Sequence, residues 1–302
     1  MSLLVFGHKS PDTDSICSSL VMTNLKKSLG IDAQACCLGE LRKEAQFVLN
    51  YFGVEAPKMI SSVSEEDECC IVDHNEFGQS VDGLENATIV EIVDHHKLGG
   101  MITSAPLNMT LRTVGCTNTI LFSMYKENKI EITKPMAGLM LSAILSDTLI
   151  FRSPTTTQAD IDAGKELAKI AGVDYEKYGM EMFRAGTSLD GYSVEEIVKM
   201  DFKPFQMGNK KVGIGQVMTL DIDSVLEKQD EFLSYINGTD YDMLFLAITD
   251  IIKEGSYLLY KAPDQVVADA FKVEGKQGVF VEELVSRKKQ IVPNLTPVVE
   301  NF

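Results

Sequence analysis

The chain has 302 residues, and 28 lysines and arginines against 44 aspartates and glutamates leave a formal net charge of -16 at pH 7. That balance excludes a general nucleic-acid surface, because binders of polyanions carry a surplus of Lys and Arg, and it leaves room only for a locally basic site. With 45% hydrophobic and 24% charged residues the composition is that of a folded globular protein, and the length predicts two domains of roughly 100–200 residues each.

No apolar run approaches the ~20 residues of a membrane span; Gly138–Leu145 is among the longest. Leu3–Phe6 is too short for the core of a signal peptide and has no positive region before it, so a cytoplasmic protein without membrane association is expected. The cysteines Cys17, Cys36, Cys37, Cys69, Cys70 and Cys116 form no C-x-x-C pair and sit mostly in apolar runs. They read as buried, reduced thiols.

In chain order, Ser2–Gly7 is a strand and Asp14–Leu29 a helix stopped by Gly30, with Asp14 a candidate cap. A strand at Ala33–Leu38, a helix at Leu41–Phe52 and strands at Cys69–Asp73 and Thr88–Asp94 follow. These strands are continuous apolar runs, which predicts an α/β domain with a parallel sheet and helices on both faces. Helices are expected at Thr117–Glu127, Pro135–Leu145, Gln158–Ile170 and Tyr175–Phe183. Small polar residues at Gly186–Ser193 suggest a linker, giving domains 1–187 and 194–302 joined by 188–193. Beyond it come a helix at Val194–Met200, strands at Phe202–Met207 and Lys211–Thr219, and a helix at Ile222–Ile236. Strands at Met243–Ile251 and Ser256–Lys261 and a helix at Asp264–Phe271 complete a smaller α/β domain with a mixed sheet.

Four segments end an apolar run on Asp or His: FGHKSPDTDS (His8, Asp12, Asp14), IVDHNE (Asp73, His74), EIVDHHKLGG (Asp94, His95, His96) and AILSDTLIF (Asp147). Loops leaving the carboxyl ends of parallel strands converge on one crevice, so these acids and all the histidines of the chain are expected together. Taken singly, each is an ordinary turn residue, cap or satisfied polar group. Gathered, the carboxylates would repel one another unless a cation compensated them, which points to bound metal. Carboxylates with imidazole suit Mn²⁺, Co²⁺, Mg²⁺ or Zn²⁺, and two ions sharing a carboxylate and a water would supply a hydroxide for hydrolysis at phosphorus.

At these residues the sequence resembles the family II inorganic pyrophosphatases, the manganese- or cobalt-dependent branch of the DHH phosphoesterases. GHKSPDTDS, VDHNE, VDHH, LMLSAILSDTL and SRKKQIVP stand in the family's order and spacing and span nearly the whole chain. The resemblance implies that His8 and Asp12 bind one metal, that Asp14, His95 and Asp147 bind a second, and that Asp73 bridges both. It implies two Mn²⁺ or Co²⁺ per subunit, and Mg²⁺ arriving with the substrate, pyrophosphate. His96 resembles a substrate-side histidine, Lys203 of DFKPF and Arg287 and Lys288 of SRKKQ resemble groups that grip the phosphates, and Asp94 resembles an orienting partner behind a histidine. Asp73, His96 and Arg287 would then be the catalytic residues, hydrolysis would take place at a di-metal centre between two domains that close over the substrate, and the protein would be a homodimer.

Only 20 residues separate Asp73 from Asp94, so the nucleotide-binding insertion of some family members is not expected. An exopolyphosphatase or another DHH phosphoesterase is the alternative enzyme; the nuclease branch is disfavoured because no histidine follows His96. A non-catalytic metal- or phosphate-binding protein is the alternative outside enzymes. In SRKKQ, an extended backbone would send Arg287 and Lys288 to opposite faces, so both reach one phosphate only if the chain turns there.

Overall fold

The computed structural model describes residues 2–189 and 191–302. It divides into two compact units, residues 1–186 and 187–302. The first contains β1 (Leu3–Lys9), α1 (Thr13–Ser28), β2 (Ala33–Leu38), α2 (Lys43–Phe52), β3 (Lys58–Met59), β4 (Glu68–Val72), a 3-10 turn (Phe77–Gln79), β5 (Thr88–Asp94) and β6 (Asn108–Leu111). α3 (Thr117–Glu127), α4 (Lys134–Asp147), α5 (Gln158–Ala171) and α6 (Tyr175–Thr187) complete it.

The six strands pair in the order β3-β2-β1-β4-β5-β6, every pair parallel. Side chains alternate between faces, as strand geometry requires. Leu3 and Val5 of β1 join Cys70 and Val72 of β4 in a core with α1 to α6, whereas Phe6, Cys69 and Ile71 point the other way. That second face is covered by Ile60, Val63, Phe77, Val81, Leu84, Met101 and Leu107, which lie in the connections and the 3-10 turn. The helices expected on both faces of this sheet are therefore, among the described residues, on one face only. The reason is topological: the strand order reverses at β1/β4, which sends the β4–β5 and β5–β6 crossovers to the opposite face. Those crossovers, residues 73–87 and 95–107, hold one 3-10 turn and cover the sheet without an α-helix.

The second unit contains α7 (Val194–Lys199), β7 (Phe202–Met207), β8 (Lys210–Thr219), α8 (Ile222–Leu226), α9 (Gln229–Asn237), β9 (Met243–Asp250), β10 (Gly255–Lys261), α10 (Asp264–Phe271), β11 (Val279–Glu282), a π-helical turn (Arg287–Ile291) and α11 (Val292–Glu300). Its sheet runs β11-β10-β9-β8-β7, with β8–β9 parallel and the other pairs antiparallel. Here helices do cover both faces. Met243, Phe245 and Ala247 of the central β9 pack toward α10 and α11, and Leu244, Leu246 and Ile248 toward α7, α8 and α9.

The single helix expected over Ile222–Ile236 is two, broken at Glu227 and Lys228; the break lets Ile222 and Val225 of α8 and Phe232 and Ile236 of α9 enter one cluster. Of the expected linker, Gly186 and Thr187 belong to the last turn of α6, Ser193 caps α7, and Asp190 lies outside the described residues. All six cysteines are free and buried. No helix among the described residues is long and apolar enough to cross a membrane.

Candidate metal centre

β1, β4 and β5 are neighbours and parallel, so their carboxyl ends open on one crevice where the strand order reverses. His8 closes β1. Gly7 before it cannot carry a side chain, because a Cβ there would lie 1.9 Å from the Ser15 hydroxyl of α1. The cap of α1 is Asp12, not Asp14: the Asp12 carboxylate accepts from the Ser15 amide at 3.0 Å, and Asp14 lies inside the helix, buried. Asp73 leaves β4 with φ of 61°, a left-handed conformation uncommon for a residue with a side chain. Asp94 and His95 leave β5, and Asp147 is the last residue of α4.

These loops bring their side chains together. His8 Nε2 lies 3.4 Å from Asp12 and 3.5 Å from Asp73. His95 Nε2 lies 3.5 Å from Asp73, 3.9 Å from Asp147 and 4.0 Å from Asp14. Asp73 is thus shared between a His8–Asp12 group and a group with His95 and His96. A further group joins Asp14 and Asp147 to Cys116, a thiol that sequence reasoning had left in the core. His74 stands apart: it is buried, its Nδ1 pairs with the Val72 carbonyl at 3.0 Å, and it belongs to none of these groups.

A second ring of residues holds the first. The amide of Thr117 and the side chain of Asn118, at the start of α3, donate to Asp14 at 2.8 and 2.7 Å, and the Thr117 hydroxyl donates to Asp73 at 3.0 Å. His8 and His95 direct Nδ1 to the carbonyls of Lys9 and Val114, at 2.8 and 3.1 Å, which turns Nε2 toward the carboxylates. Asp94 is fully buried and accepts from the amides of His95 and His96 and from His96 Nδ1, the last at 2.9 Å. Asn75 bridges the loops by bonding Asp94, the Lys97 carbonyl and the Gly99 amide.

Charge in the cluster is finely divided. Burial and the nearby Asp73 carboxylate push Asp14 up to about 6, and burial with Asp14 beside it raises Asp147 well above the carboxylate range. Burial opposes ionisation of Asp73 as well, but His8 and His95 outweigh it and hold Asp73 below its ordinary value. Burial likewise works against a charged His8 or His95, yet the adjoining carboxylates carry these imidazoles up to about 11 and about 9. Buried like charges this close call for a positive partner. Oxygen and imidazole donors fit a divalent ion such as Mn²⁺ or Co²⁺, so the residues present suit a metal centre.

The expected phosphate-gripping residues lie in the second unit. Lys203 is exposed on β7. The segment with Arg287 and Lys288 is not extended: it forms the π-helical turn, capped by the Ser286 hydroxyl, so the turn that the sequence left open is present. Arg287 forms an ion pair with Asp201 at 2.7 Å, which ties SRKKQ to DFKPF.

Family models for the DHH family N-terminal domain and the DHHA2 domain match residues 2–144 and 180–298. Full-length relatives carry the name "probable manganese-dependent inorganic pyrophosphatase". One from Clostridium acetobutylicum is 47% identical, covering 99% of this chain and 98% of its own; one from an Exiguobacterium species is 48% identical, covering 98% of each. The crystal structure of a Methanococcus jannaschii protein assigned to the family II inorganic pyrophosphatases is 40% identical, covers 99% of both chains and superposes with a TM-score of 0.64. An exopolyphosphatase-related protein of Bacteroides fragilis, 14% identical with a TM-score of 0.51, shares the fold alone. The chain belongs to the family II, manganese-dependent inorganic pyrophosphatases of the DHH group.

Proposed function

We propose that this protein hydrolyses inorganic pyrophosphate to two phosphates with manganese as its cofactor. The observation that carries the reading is the position of Asp73, buried and shared by two donor groups, which is what a carboxylate serving two cations requires. In our reading His8, Asp12 and Asp73 hold one ion, and Asp14, Asp73, His95 and Asp147 hold a second; Co²⁺ is the alternative to Mn²⁺. Bound metal supplies Lewis acidity and a hydroxide nucleophile near neutral pH.

The chain's own groups do the rest. Thr117 and Asn118 fix the carboxylate planes through the bonds described above. Asp94 aims His96, whose side chain is 53% exposed, so that this imidazole serves pyrophosphate rather than the cluster core. Asp94, bonded to His96 Nδ1, raises the His96 pKa, which favours His96 as a donor to a phosphate oxygen. Lys203, Arg287 and Lys288 bind the phosphate groups; Arg presents a planar fork and Lys a mobile charge. Residues 188–193 serve as the linker of domains 1–187 and 194–302. The molecule works as a homodimer in the cytoplasm, and substrate enters as its Mg²⁺ complex.

The test is phosphate release from pyrophosphate after chelation and again after Mn²⁺ is restored, with tripolyphosphate and long polyphosphate in parallel. Release only with metal, and chiefly from pyrophosphate, is expected. Faster release from long polyphosphate would instead favour an exopolyphosphatase, and no release with any substrate a binding protein.

A further inference from the structure

In the second unit one polar lattice surrounds Arg287. Its amide donates to Gln216 Oε1 at 3.0 Å, and Gln216, itself buried, donates through Nε2 to the Thr249 hydroxyl at 2.9 Å and to the Val285 carbonyl at 3.0 Å. The Gln216 amide in turn donates to the Asp201 carbonyl at 3.0 Å. Asp201 meets the guanidinium twice: Nη2 lies 2.7 Å from Oδ1, and Nη1 donates to the Asp201 carbonyl oxygen. The Arg287 side chain is 11% exposed against 55% for Asp201, so it is the cation that is held and the carboxylate that does the holding. Asp201 stands two positions before Lys203, directly ahead of β7.

We propose that Asp201 is a positioning residue for pyrophosphate binding: by gripping one edge of the Arg287 guanidinium it presents the remaining N–H groups as a preset fork for a phosphate. A guanidinium offers donors on Nε as well as a second hydrogen on each Nη, so the pair with Asp201 and the bond to an anion are compatible. Without Asp201 the arginine has several rotamers to explore, and affinity falls by the cost of ordering it. The pair also joins DFKPF to SRKKQ, so one carboxylate sets the distance between β7, which carries Lys203, and the π-helical turn, which carries Arg287. This inference rests on the reading of Arg287 as a phosphate-binding group.

The experiment is a double-mutant cycle on the manganese-loaded enzyme with Mg²⁺-pyrophosphate, using Asp201→Ala, Arg287→Ala and the double variant. KM is expected to rise about tenfold for Asp201→Ala and at least as much for Arg287→Ala, with the double variant no worse than Arg287→Ala alone. Asp201→Asn, which keeps the oxygen acceptor, is expected to recover part of the loss, and it carries the cycle if the alanine variant fails to fold. Mn²⁺ affinity, a property of the first unit, stays unchanged throughout. Additive effects, or a KM at or below that of the parent protein for Asp201→Ala, would overturn the positioning role while leaving Arg287 in place. If Arg287→Ala itself leaves KM and kcat unaltered, the phosphate-binding reading of Arg287 falls, and the role of Asp201 with it.

Discussion

Asp73 combines three demands in one residue: a left-handed backbone, complete burial and contact with His8, His95 and His96. Strain of this kind persists only where the surroundings over-determine it. Asn tolerates the same backbone region and has the same shape, so Asp73→Asn is expected to fold, with a lower unfolding midpoint in the metal-free state because the protonated His8 and His95 lose their buried counter-charge. Its Mn²⁺ affinity should fall by about a hundredfold or more, since in the proposed site a charged donor common to two cations is lost. Titration of the apo-protein reads this directly, and affinity within a factor of about two of the parent would remove Asp73 from the shared position. At this scale the sequence was informative wherever a chemically unusual side chain ends a strand, as at His8, Asp73 and His95. It was silent on Cys116, Thr117, Asn118 and Asp160, which reach the site through the fold rather than through a motif. Asp160, fully buried, accepts from the Gly115 amide and from the Thr119 hydroxyl, and so anchors the turn that delivers Thr117. Nothing in the local sequence distinguishes it from an ordinary helix-capping acid, which it also is.

Elements were legible in proportion to their length. Ala33–Leu38, Thr88–Asp94, Thr117–Glu127 and Phe202–Met207 have the ends expected from the sequence. The edge strands β3, β6 and β11 were not foreseen: they have two to four residues, too few for a hydrophobic period to register. α11 was not foreseen; Pro293 lies in its first turn, where the missing N–H costs nothing, and Pro297 lies inside it. The end of α4 holds another surprise. Leu149, Ile150 and Phe151 all have positive φ, of 50°, 54° and 64°, so the chain makes a left-handed turn directly after Asp147. The Ile150 amide returns to the Leu145 carbonyl at 2.9 Å and the Ser153 amide to the Thr148 carbonyl at 2.8 Å, while buried Ile150 closes against Gly179. Leu149 pays the left-handed penalty of about 1–2 kcal/mol with its side chain 53% exposed. Leu149→Gly relieves that strain, offset in part by the added freedom of the unfolded chain. We expect a net gain of about 0.5–1 kcal/mol in urea unfolding of the metal-free protein, and a destabilised variant would show that the Leu149 side chain carries packing the exposure does not reveal.

For the whole molecule, the surplus of 16 negative charges is answered locally by protons before metal arrives. His8 and His95 titrate near 11 and 9 in the metal-free protein, against an ordinary 6.5, so both are protonated at pH 7. A metal ligand must be neutral imidazole; binding therefore releases protons, and raising the pH favours the metal-bound state. Apparent Mn²⁺ affinity is expected to increase steadily from pH 6 toward pH 9, and binding heats at pH 7 should vary with the ionisation enthalpy of the buffer. Heats independent of the buffer would mean that the imidazoles carry no displaced proton. Bound metal also stabilises the native chain by mass action, by about 2.7 kcal/mol at a hundred times its dissociation constant. Chelation should accordingly lower the thermal midpoint, and added Mn²⁺ should restore it.

The donors converge on one crevice from loops that begin at His8 and end at Asp147. During synthesis the chain emerges from its amino end, and parallel strands pair only across long stretches of sequence. β1 can meet β4 once residue 72 of 302 has been made, whereas the first loop can meet the end of α4 only when nearly half of the polypeptide exists. A nascent chain thus presents the His8–Asp12–Asp73 group early, but the groups that include His95, Cys116 and Asp147 only after the later elements have been made. Full loading is a property of the completed first unit, and cellular manganese scarcity would yield folded, empty molecules awaiting the ion rather than a stalled translation product.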